Sequence, residues 1–396
     1  MLSPHTPTPP SNSSFAVASS ALRWRWPRGV DGYARVVPHV PVSRSAILEH
    51  VARIDAEKYA RRRNYTDGGT RISAFLTRGL VSLPEVRDVV LQRHTPGQAY
   101  KFVFELAWRE YWQREWLFRG DAIFADVKLR QHPVDSTRMP RAVLEARTGV
   151  EALDIAVRDL YACGYLHNHE RMWLAGLICN AARTHWWEPS RWLYYHLLDG
   201  DPASNTLSWQ WVAGTFGHQK YLAAQENINR YSDYRQHGSI IDHDYDVLAE
   251  LPVPEELSGR ADLELTWTPP QSEALAIDPA KPTVLHHSFW LNASWRADLD
   301  ANRVVLLEPS WFARFPVSPL VTDYIMRCAR EIPGARLVVA EFDDLRLSGD
   351  VFFMDHPSVP HWRGTADEMP RLFPHVPNKS YGSFTSYWKQ CQRTNR

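Results

Sequence analysis

Residues 198–211 read Leu-Asp-Gly-Asp-Pro-Ala-Ser-Asn-Thr-Leu-Ser-Trp-Gln-Trp, and this stretch decides how the rest of the chain is interpreted. Its Asp-Gly-Asp-Pro portion predicts a break followed by the start of a helix, where an Asp side chain can accept hydrogen bonds from free backbone amides. A capping Asp followed by tryptophans of the hydrophobic core is one explanation. Two carboxylates, an amide and two indoles at this spacing favour a binding site instead, because a generic surface loop does not need them.

Around this stretch, apolar residues between Ser43 and Arg235 recur mostly at helical spacing. Breaks such as Ser82-Leu83-Pro84 are each followed by a plausible helix start with a capping residue at hand. We therefore predict a helical domain at residues 43–245. Residues 1–42 begin with a Ser-, Pro- and Thr-rich stretch that lacks the basic start and apolar run of a secretory signal, and they are predicted to form a disordered tail.

The amino-acid composition of the sequence changes after residue 245. Pro, Glu, Asp and Ser dominate residues 246–282, which predicts a linker. Beyond the linker, four short runs rich in β-branched residues predict strands, and a helical stretch lies between the second and third runs. The runs are Thr283–Leu285, Arg303–Leu307, Leu337–Ala340 and Val351–Met354, and the helical stretch is Pro319–Ile332. This alternation predicts a small α/β domain at residues 283–396 with a largely parallel sheet.

Composition excludes several classes of protein. With 44% hydrophobic and 23% charged residues the chain can bury a large core, and no stretch approaches the roughly 18 apolar residues of a membrane helix. The four cysteines lie far apart without metal-ligand spacing, which predicts a reduced, cytoplasmic protein with no metal site. Residues 1–240 contain 30 Lys and Arg against 23 Asp and Glu, whereas residues 241–396 contain 15 against 22. The basic part suits a polyanion such as nucleic acid, and the acidic part suits a different partner.

Three further motifs precede the opening stretch. They are Tyr59 with the turn Gly69-Thr-Arg-Ile-Ser73, the segment Glu105-Leu-Ala-Trp-Arg-Glu-Tyr111, and the segment Gly164-Tyr-Leu-His-Asn-His-Glu-Arg-Met172. In this order and at matching spacing, the four motifs resemble those of the catalytic domain of DNA photolyases and cryptochromes. Residues 198–211 are the most specific match, with every fixed position of the family's motif present. The resemblance implies a mainly α fold, in which an all-helical FAD-binding domain is followed by the small α/β domain.

The resemblance assigns roles in a site for FAD. Arg109 reaches the cofactor phosphates, where a planar guanidinium can bond two oxygens at once. Asp199 pairs with Arg171 beside the isoalloxazine. Asp201 accepts a hydrogen bond from the edge of the flavin ring, and Asn205 faces its N5 atom. The implied cofactor-binding residues are Tyr59, Thr70, Arg71, Ile72, Ser73, Arg109, Asn168, Arg171, Asp199, Asp201 and Asn205.

The resemblance also implies a lesion site and an electron relay. Trp108 and Trp211 wall the pocket of a flipped pyrimidine dimer, because aromatic rings replace the stacking that a base loses outside the duplex. Glu105 hydrogen-bonds a thymine carbonyl, while Trp209 and Trp186 are the proximal and middle members of a tryptophan chain. The implied substrate-binding residues are Glu105, Trp108, Asn168, Met172 and Trp211, and the implied catalytic residues are Glu105, Asn205, Trp209 and Trp186.

The chain departs from the family pattern at several points. The distal relay position falls near Pro133, where there is no tryptophan. The alternatives that the sequence leaves open are Trp187, Trp192, Tyr161 and Trp116. Tyr165 stands where the family has Trp, and His169 stands where it has a phosphate-contacting Arg. The α/β segment follows the FAD domain, whereas family members carry an α/β antenna domain before it, and no motif fixes a second chromophore.

We therefore expect a FAD-dependent, light-driven lyase, a deoxyribodipyrimidine photo-lyase that splits cyclobutane pyrimidine dimers in DNA. One alternative is a cryptochrome-like blue-light photoreceptor without repair activity, which signals to a protein partner through its acidic C-terminal domain. Another is a flavoprotein recruited to dark redox chemistry. The departures at Tyr165 and His169 weaken the expectation of DNA repair without affecting FAD binding.

Overall fold

The computed structural model describes residues 40–217, 219–347 and 349–394. Most of the predicted tail, residues 1–39, lies outside the described residues. The described residues form one compact unit. In this unit, helices precede a parallel sheet along the chain.

Helices dominate the chain as far as residue 250, as the apolar periodicity predicted. They are α1 (Arg44–Ala52), α2 (Ala56–Arg62), α3 (Ser73–Thr77), α4 (Leu83–Leu91), α5 (Tyr100–Arg119), α6 (Arg141–Leu144), α7 (Glu151–Cys163), α8 (Asn168–Gly176), α9 (Trp187–His196), α10 (Pro202–Ala213), α11 (Gln225–Tyr231) and α12 (Tyr245–Glu250). A π-helical turn, Leu177–Ala181, continues α8.

Local sequence explains where several helices begin and end. Ser82 and Glu85 form a reciprocal capping box at the start of α4. At the start of α10, the Asp201 carboxylate accepts a hydrogen bond from Ser204 N at 2.7 Å. Gly164 ends α7 and Gly214 ends α10, both at positive φ where a residue with a side chain would be strained. The break and helix start predicted from residues 198–211 are therefore present.

The second part of the chain contains a five-stranded parallel sheet. Its strands are β3 (Thr283–His286), β4 (Asn302–Leu307), β5 (Ala335–Val339), β6 (Val351–Met354) and β7 (Thr365–Asp367), in the order β5-β4-β3-β6-β7. The remaining helices are α13 (Pro309–Arg314), α14 (Pro319–Ala329) and α15 (Phe384–Thr394). Each neighbouring pair of strands is parallel. The predicted fold class, a helical part followed by a small α/β part, is confirmed.

The predicted linker contains more structure than its composition suggested. Within it, β2 (Arg260–Ala261) pairs antiparallel with β1 (Met139–Pro140) from the helical part. A two-residue pairing leaves no periodic pattern in the sequence, so it could not be predicted. The boundaries at residues 245 and 283 stay a prediction. One hydrophobic core contains Tyr111 of α5 together with Tyr324 of α14, so helical and α/β parts share buried surface.

Among the described residues, no helix combines the length and the apolar character needed to cross a bilayer.

Candidate functional site

A cavity of about 430 Å³ is lined by residues from α3, α5, α8 and α10 and from the turn before α3. This volume lies within the usual range for small-molecule sites. The lining includes Tyr59, Thr70, Arg71, Ile72, Ser73, Glu105, Trp108, Arg109, Asn168, Arg171, Met172, Asp199, Asp201, Asn205, Trp209 and Trp211. Trp186 is not part of this lining. The fold therefore brings together four motifs that are separated by up to about 140 residues in the chain, as the family resemblance of the motifs led us to expect.

The buried Asp199 and the partly buried Arg171 form an ion pair in the cavity wall. Arg171 Nη2 lies 3.0 and 2.8 Å from the two carboxylate oxygens of Asp199. Behind the pair, the Thr77 hydroxyl donates to the Asp199 carbonyl at 3.0 Å. Burial would raise the pKa of Asp199, but the charge and hydrogen bonds of Arg171 outweigh it and lower the pKa. The carboxylate is thus ionised and fixed in position.

Asp201 links the start of α10 to α5. Besides capping α10, it accepts a hydrogen bond from Gln113 Nε2, and Arg109 Nη2 lies 3.6 Å from the same carboxylate. The neighbouring Ser204 hydroxyl lines the cavity and is buried without a hydrogen-bond partner anywhere in residues 40–217, 219–347 and 349–394. A buried hydroxyl without a partner favours a polar ligand beside it.

A hydrogen bond to the backbone of α9 holds the side-chain amide of Asn205. Its Nδ2 donates to the Ser190 carbonyl at 2.8 Å, which connects α10 to α9. Because the nitrogen is engaged in this bond, the orientation of the whole amide in the cavity wall is fixed.

The turn before α3 approaches the cavity in a strained conformation. Arg71 has a φ of 57°, in the left-handed region that costs a residue with a side chain about 1–2 kcal/mol. Its guanidinium lies over the Tyr165 ring, 5.2 Å from the centroid. At Gly69 a Cβ would come within 2.9 Å of the Tyr165 hydroxyl, so only glycine fits. Strain of this kind is typical of functional sites.

The α5 wall carries Glu105 and Trp108, as their helical spacing predicted. Glu105 pairs with Lys101 Nζ at 2.8 Å and with Arg63 Nη1 at 3.2 Å. The Trp108 ring stacks on Phe384 of α15, with centroids 3.7 Å apart and an interplanar angle of 10°. Trp211 is 40% exposed at the cavity, which leaves its ring accessible to a ligand from solvent.

The two departures from the family motif have different surroundings. Tyr165 lines the cavity, and burial raises its pKa to about 12. At His169, burial and the charge of Arg63 lower the pKa to about 4. The His169 imidazole is therefore neutral at neutral pH, and it cannot attract a phosphate as a guanidinium would.

The predicted relay residues lie in the core of the helical part. Trp209 is 2% exposed and lines the cavity. Trp186 is fully buried, and its Nε1 donates to Asp126 Oδ1 at 2.6 Å. Its ring contacts that of Trp187 edge to face, with centroids 5.5 Å apart.

Sequence reasoning missed Gln113, Ser204 and Phe384. Gln113 follows Arg109 by one turn of α5, so helical spacing could have revealed it. Ser204 lies within the most specific motif, but nothing in the motif distinguishes it. Phe384 comes from a part of the chain where no motif was found, and only the fold places it beside Trp108.

The residues of the cavity fit a flavin dinucleotide. Arg71 and Arg109 provide cations for a diphosphate, and the side-chain oxygens of Asp199 and Asp201 provide acceptors for a ring N–H. The unpartnered Ser204 hydroxyl adds a polar contact, and Trp209 and Trp211 add aromatic surface.

Comparison with known proteins agrees with this geometry. Residues 102–261 match the family described as the FAD binding domain of DNA photolyase. A deoxyribodipyrimidine photo-lyase from Streptomyces griseus is 34% identical over 151 residues, which is 38% of this chain and 33% of that protein. A cryptochrome DASH from Gloeobacter violaceus is 26% identical over 193 residues, 47% of this chain and 39% of that protein.

A crystal structure of a Synechocystis cryptochrome is similar with a TM-score of 0.46 and 20% identity, covering 49% of this chain and 44% of that one. The chain spans about a third to a half of the length of the curated relatives it matches. Both photolyases and DASH cryptochromes are among them. Residues 102–261 are therefore a FAD-binding domain of the DNA photolyase type, and the cofactor is FAD.

Proposed function

We propose that this protein is a light-driven lyase that splits cyclobutane pyrimidine dimers in DNA. The observation that carries the proposal is that one cavity is lined both by the FAD-site residues Asp199 and Arg171 and by the aromatic residues Trp108 and Trp211. A cofactor and a flipped dimer would therefore lie in contact. The relatives that are named deoxyribodipyrimidine photo-lyases support the same activity.

In this proposal, Trp108 and Trp211 stack on the dimer and offset the cost of flipping it out of the helix. Glu105 lies on the same wall, oriented by Lys101 and Arg63. As a carboxylate, Glu105 accepts a hydrogen bond from a thymine N3–H, whereas a bond to a thymine carbonyl requires its protonated form. The exposed Arg61 near the end of α2 is a cation available to DNA phosphates.

Bound FAD in its reduced form would supply an excited electron to the dimer and take it back after the ring splits. The chain's own residues would hold the cofactor and resupply electrons to it whenever it is oxidised. Asp199, Asp201 and Asn205 position its polar edge. For the resupply, we propose that electrons pass from Trp187 through Trp186 to Trp209. The edge-to-face contact between Trp186 and Trp187 supports Trp187 over Trp192, whose indole is hydrogen-bonded to Tyr161 instead.

The test is repair of a dimer-containing oligonucleotide by purified, FAD-loaded and reduced protein under blue light. We expect the undamaged oligonucleotide to be recovered in the light and not in the dark. A preparation that is fully occupied by FAD and returns no undamaged product contradicts the proposal.

A second candidate function is a blue-light photoreceptor without repair activity, which acts on a protein partner. The neutral His169 favours it, because a phosphate contact implied by the family is lost there. Reversible photoreduction of FAD, no repair, and a partner bound only in the light would identify this function. Turnover of a small substrate in the dark would instead identify a redox enzyme.

A further inference from the structure

Helix α5 has two functional faces. One face presents Glu105, Trp108 and Arg109 to the cavity. The other face binds a segment near the C-terminus, residues 372–391, which we call the C-terminal strap. The strap lies more than 100 residues beyond the region that matches the FAD-binding family.

Buried charges hold the strap against α5. Glu110 and Arg114 are 3% and 1% exposed and form an ion pair of 3.0 Å. Arg114 donates to the carbonyls of Phe373 at 2.7 Å and Val376 at 3.1 Å. Glu110 accepts from the Tyr387 hydroxyl at 2.8 Å. Because the loss of any one of these interactions would leave a buried charge unpaired, the strap has one defined position.

One turn further along α5, Glu115 holds the same strap. This carboxylate is fully buried and accepts hydrogen bonds from Tyr381 N and the Ser380 hydroxyl, both at 3.1 Å. Backbone and side-chain groups of the strap therefore meet α5 over two turns.

This attachment places Phe384 under Trp108. Phe384 is 5% exposed, and its ring is nearly parallel to the Trp108 indole at 3.7 Å. Contact with Phe384 covers one face of the indole, so the cavity borders its other face or its edge. A parallel contact at this distance fixes the tilt of the indole, because rotation of either ring would create a clash.

We propose that Phe384 is a positioning residue for the substrate site, which sets the plane of Trp108 so that a flat pyrimidine pair can stack on it. The inference rests on the proposed function, because it assigns the stacked ligand to a dimer in DNA. It extends the site to the C-terminal strap.

The test compares Phe384→Leu with Trp388→Leu in the FAD-loaded protein. Leucine keeps apolar volume at residue 384 but removes the ring. Trp388 lies on the same helix one turn on, and its ring contacts Tyr100, Phe104, Phe373 and Phe384 itself but not Trp108. Trp388→Leu therefore loosens the packing around Phe384 while it leaves a ring against Trp108. We expect Phe384→Leu to bind a dimer-containing oligonucleotide about threefold to tenfold more weakly, which is the range of one aromatic pair.

FAD content should stay unchanged in Phe384→Leu, Trp388→Leu should bind the oligonucleotide like the wild type, and Phe384→Tyr, which keeps the ring, should restore affinity. A purely structural role predicts equal losses in the two leucine variants. Wild-type affinity in Phe384→Leu, or an equal loss in Trp388→Leu, would overturn the inference.

A second measurement separates this inference from the proposed function. Near-ultraviolet circular dichroism of the FAD-loaded protein reports the surroundings of its aromatic rings. We expect Phe384→Leu to change the spectrum more in the wild-type background than in a Trp108→Phe background, where only the contacts of Phe384 with rings such as Phe104, Tyr111 and Trp388 are lost. An equal effect of Phe384→Leu on the spectrum in both backgrounds would contradict the positioning role of Phe384. Wild-type protein that binds dimer-containing DNA no better than undamaged DNA would contradict the proposed function alone.

Discussion

At the scale of single residues, the ion pair between Asp199 and Arg171 is predicted to be required for the cavity to hold FAD. We predict that Asp199→Asn lowers the free energy of unfolding by about 3 kcal/mol, because the mostly buried guanidinium of Arg171 loses its counter-charge. FAD content after purification should fall as well. Urea unfolding and the absorption spectrum measure the two effects.

The matched control is Asp67→Asn, which breaks an exposed ion pair with Arg62. Exposed pairs contribute about 1 kcal/mol or less, so this variant should keep both stability and FAD. Equal losses in the two variants would contradict a special role for Asp199.

Arg71 offers a test of backbone strain at the cavity. Because its φ is 57°, Arg71→Gly should unfold with a free energy about 1 kcal/mol higher than Arg71→Ala, which keeps the strain. Both variants lose the guanidinium and should bind FAD equally weakly. Urea unfolding measures the stability of the two variants, and FAD titration measures their affinity for FAD. Equal stability of the two variants would show that the turn is relaxed.

The site residues named from the sequence could be predicted because each belongs to a motif with polar groups at a fixed spacing. All of them except Trp186 line one cavity, and their roles stay a prediction. Hydrogen bonds such as that from Gln113 to Asp201, or the stacking of Phe384 on Trp108, join distant parts of the chain. No local pattern encodes such contacts.

At the scale of elements, α9 and α10 carry the proposed electron route from Trp187 through Trp186 to Trp209. We predict that Trp187→Phe slows light-driven reduction of FAD several-fold, because it interrupts the contact with Trp186. Trp192→Phe is the control, since its indole pairs with Tyr161. The rate of flavin bleaching under blue light with a thiol donor measures the effect, and a slower rate in the control alone would place the route through Tyr161.

The strands with β-branched runs, β3 to β6, were predictable because buried parallel strands are continuously apolar. Strand β7 and helix α13 were missed. The first two residues of β7 are exposed, so it carries no apolar run. Helix α13 has only six residues, fewer than two turns of apolar repeat.

At the scale of the whole molecule, stability should depend on pH through buried histidines. Burial lowers the pKa of His169, His196 and His287 to about 4 and that of His286 to about 3, and it also lowers the pKa of His356. The unfolded chain binds protons at these positions below about pH 6.5, whereas the folded chain does so only near pH 4 or lower. The free energy of unfolding should therefore fall as the pH is lowered from about 6.5 to 4.

Thermal unfolding across this range measures the effect. His169→Gln removes one of the titrating groups and should make the decline shallower. A melting temperature that stays constant between pH 6.5 and 4 would contradict the neutral state of these imidazoles.

The position of the strap has a consequence for synthesis on the ribosome. A nascent chain that has emerged as far as residue 261 contains the whole region matched by the FAD-binding family, yet none of the strap groups that hydrogen-bond Glu110, Arg114 and Glu115. At roughly 5–20 residues per second, the strap follows on the order of ten seconds later. During that interval α5 lacks the strap's partners for three buried side chains and for one face of Trp108, so cotranslational folding of the flavin site ends only when residue 391 has left the exit tunnel.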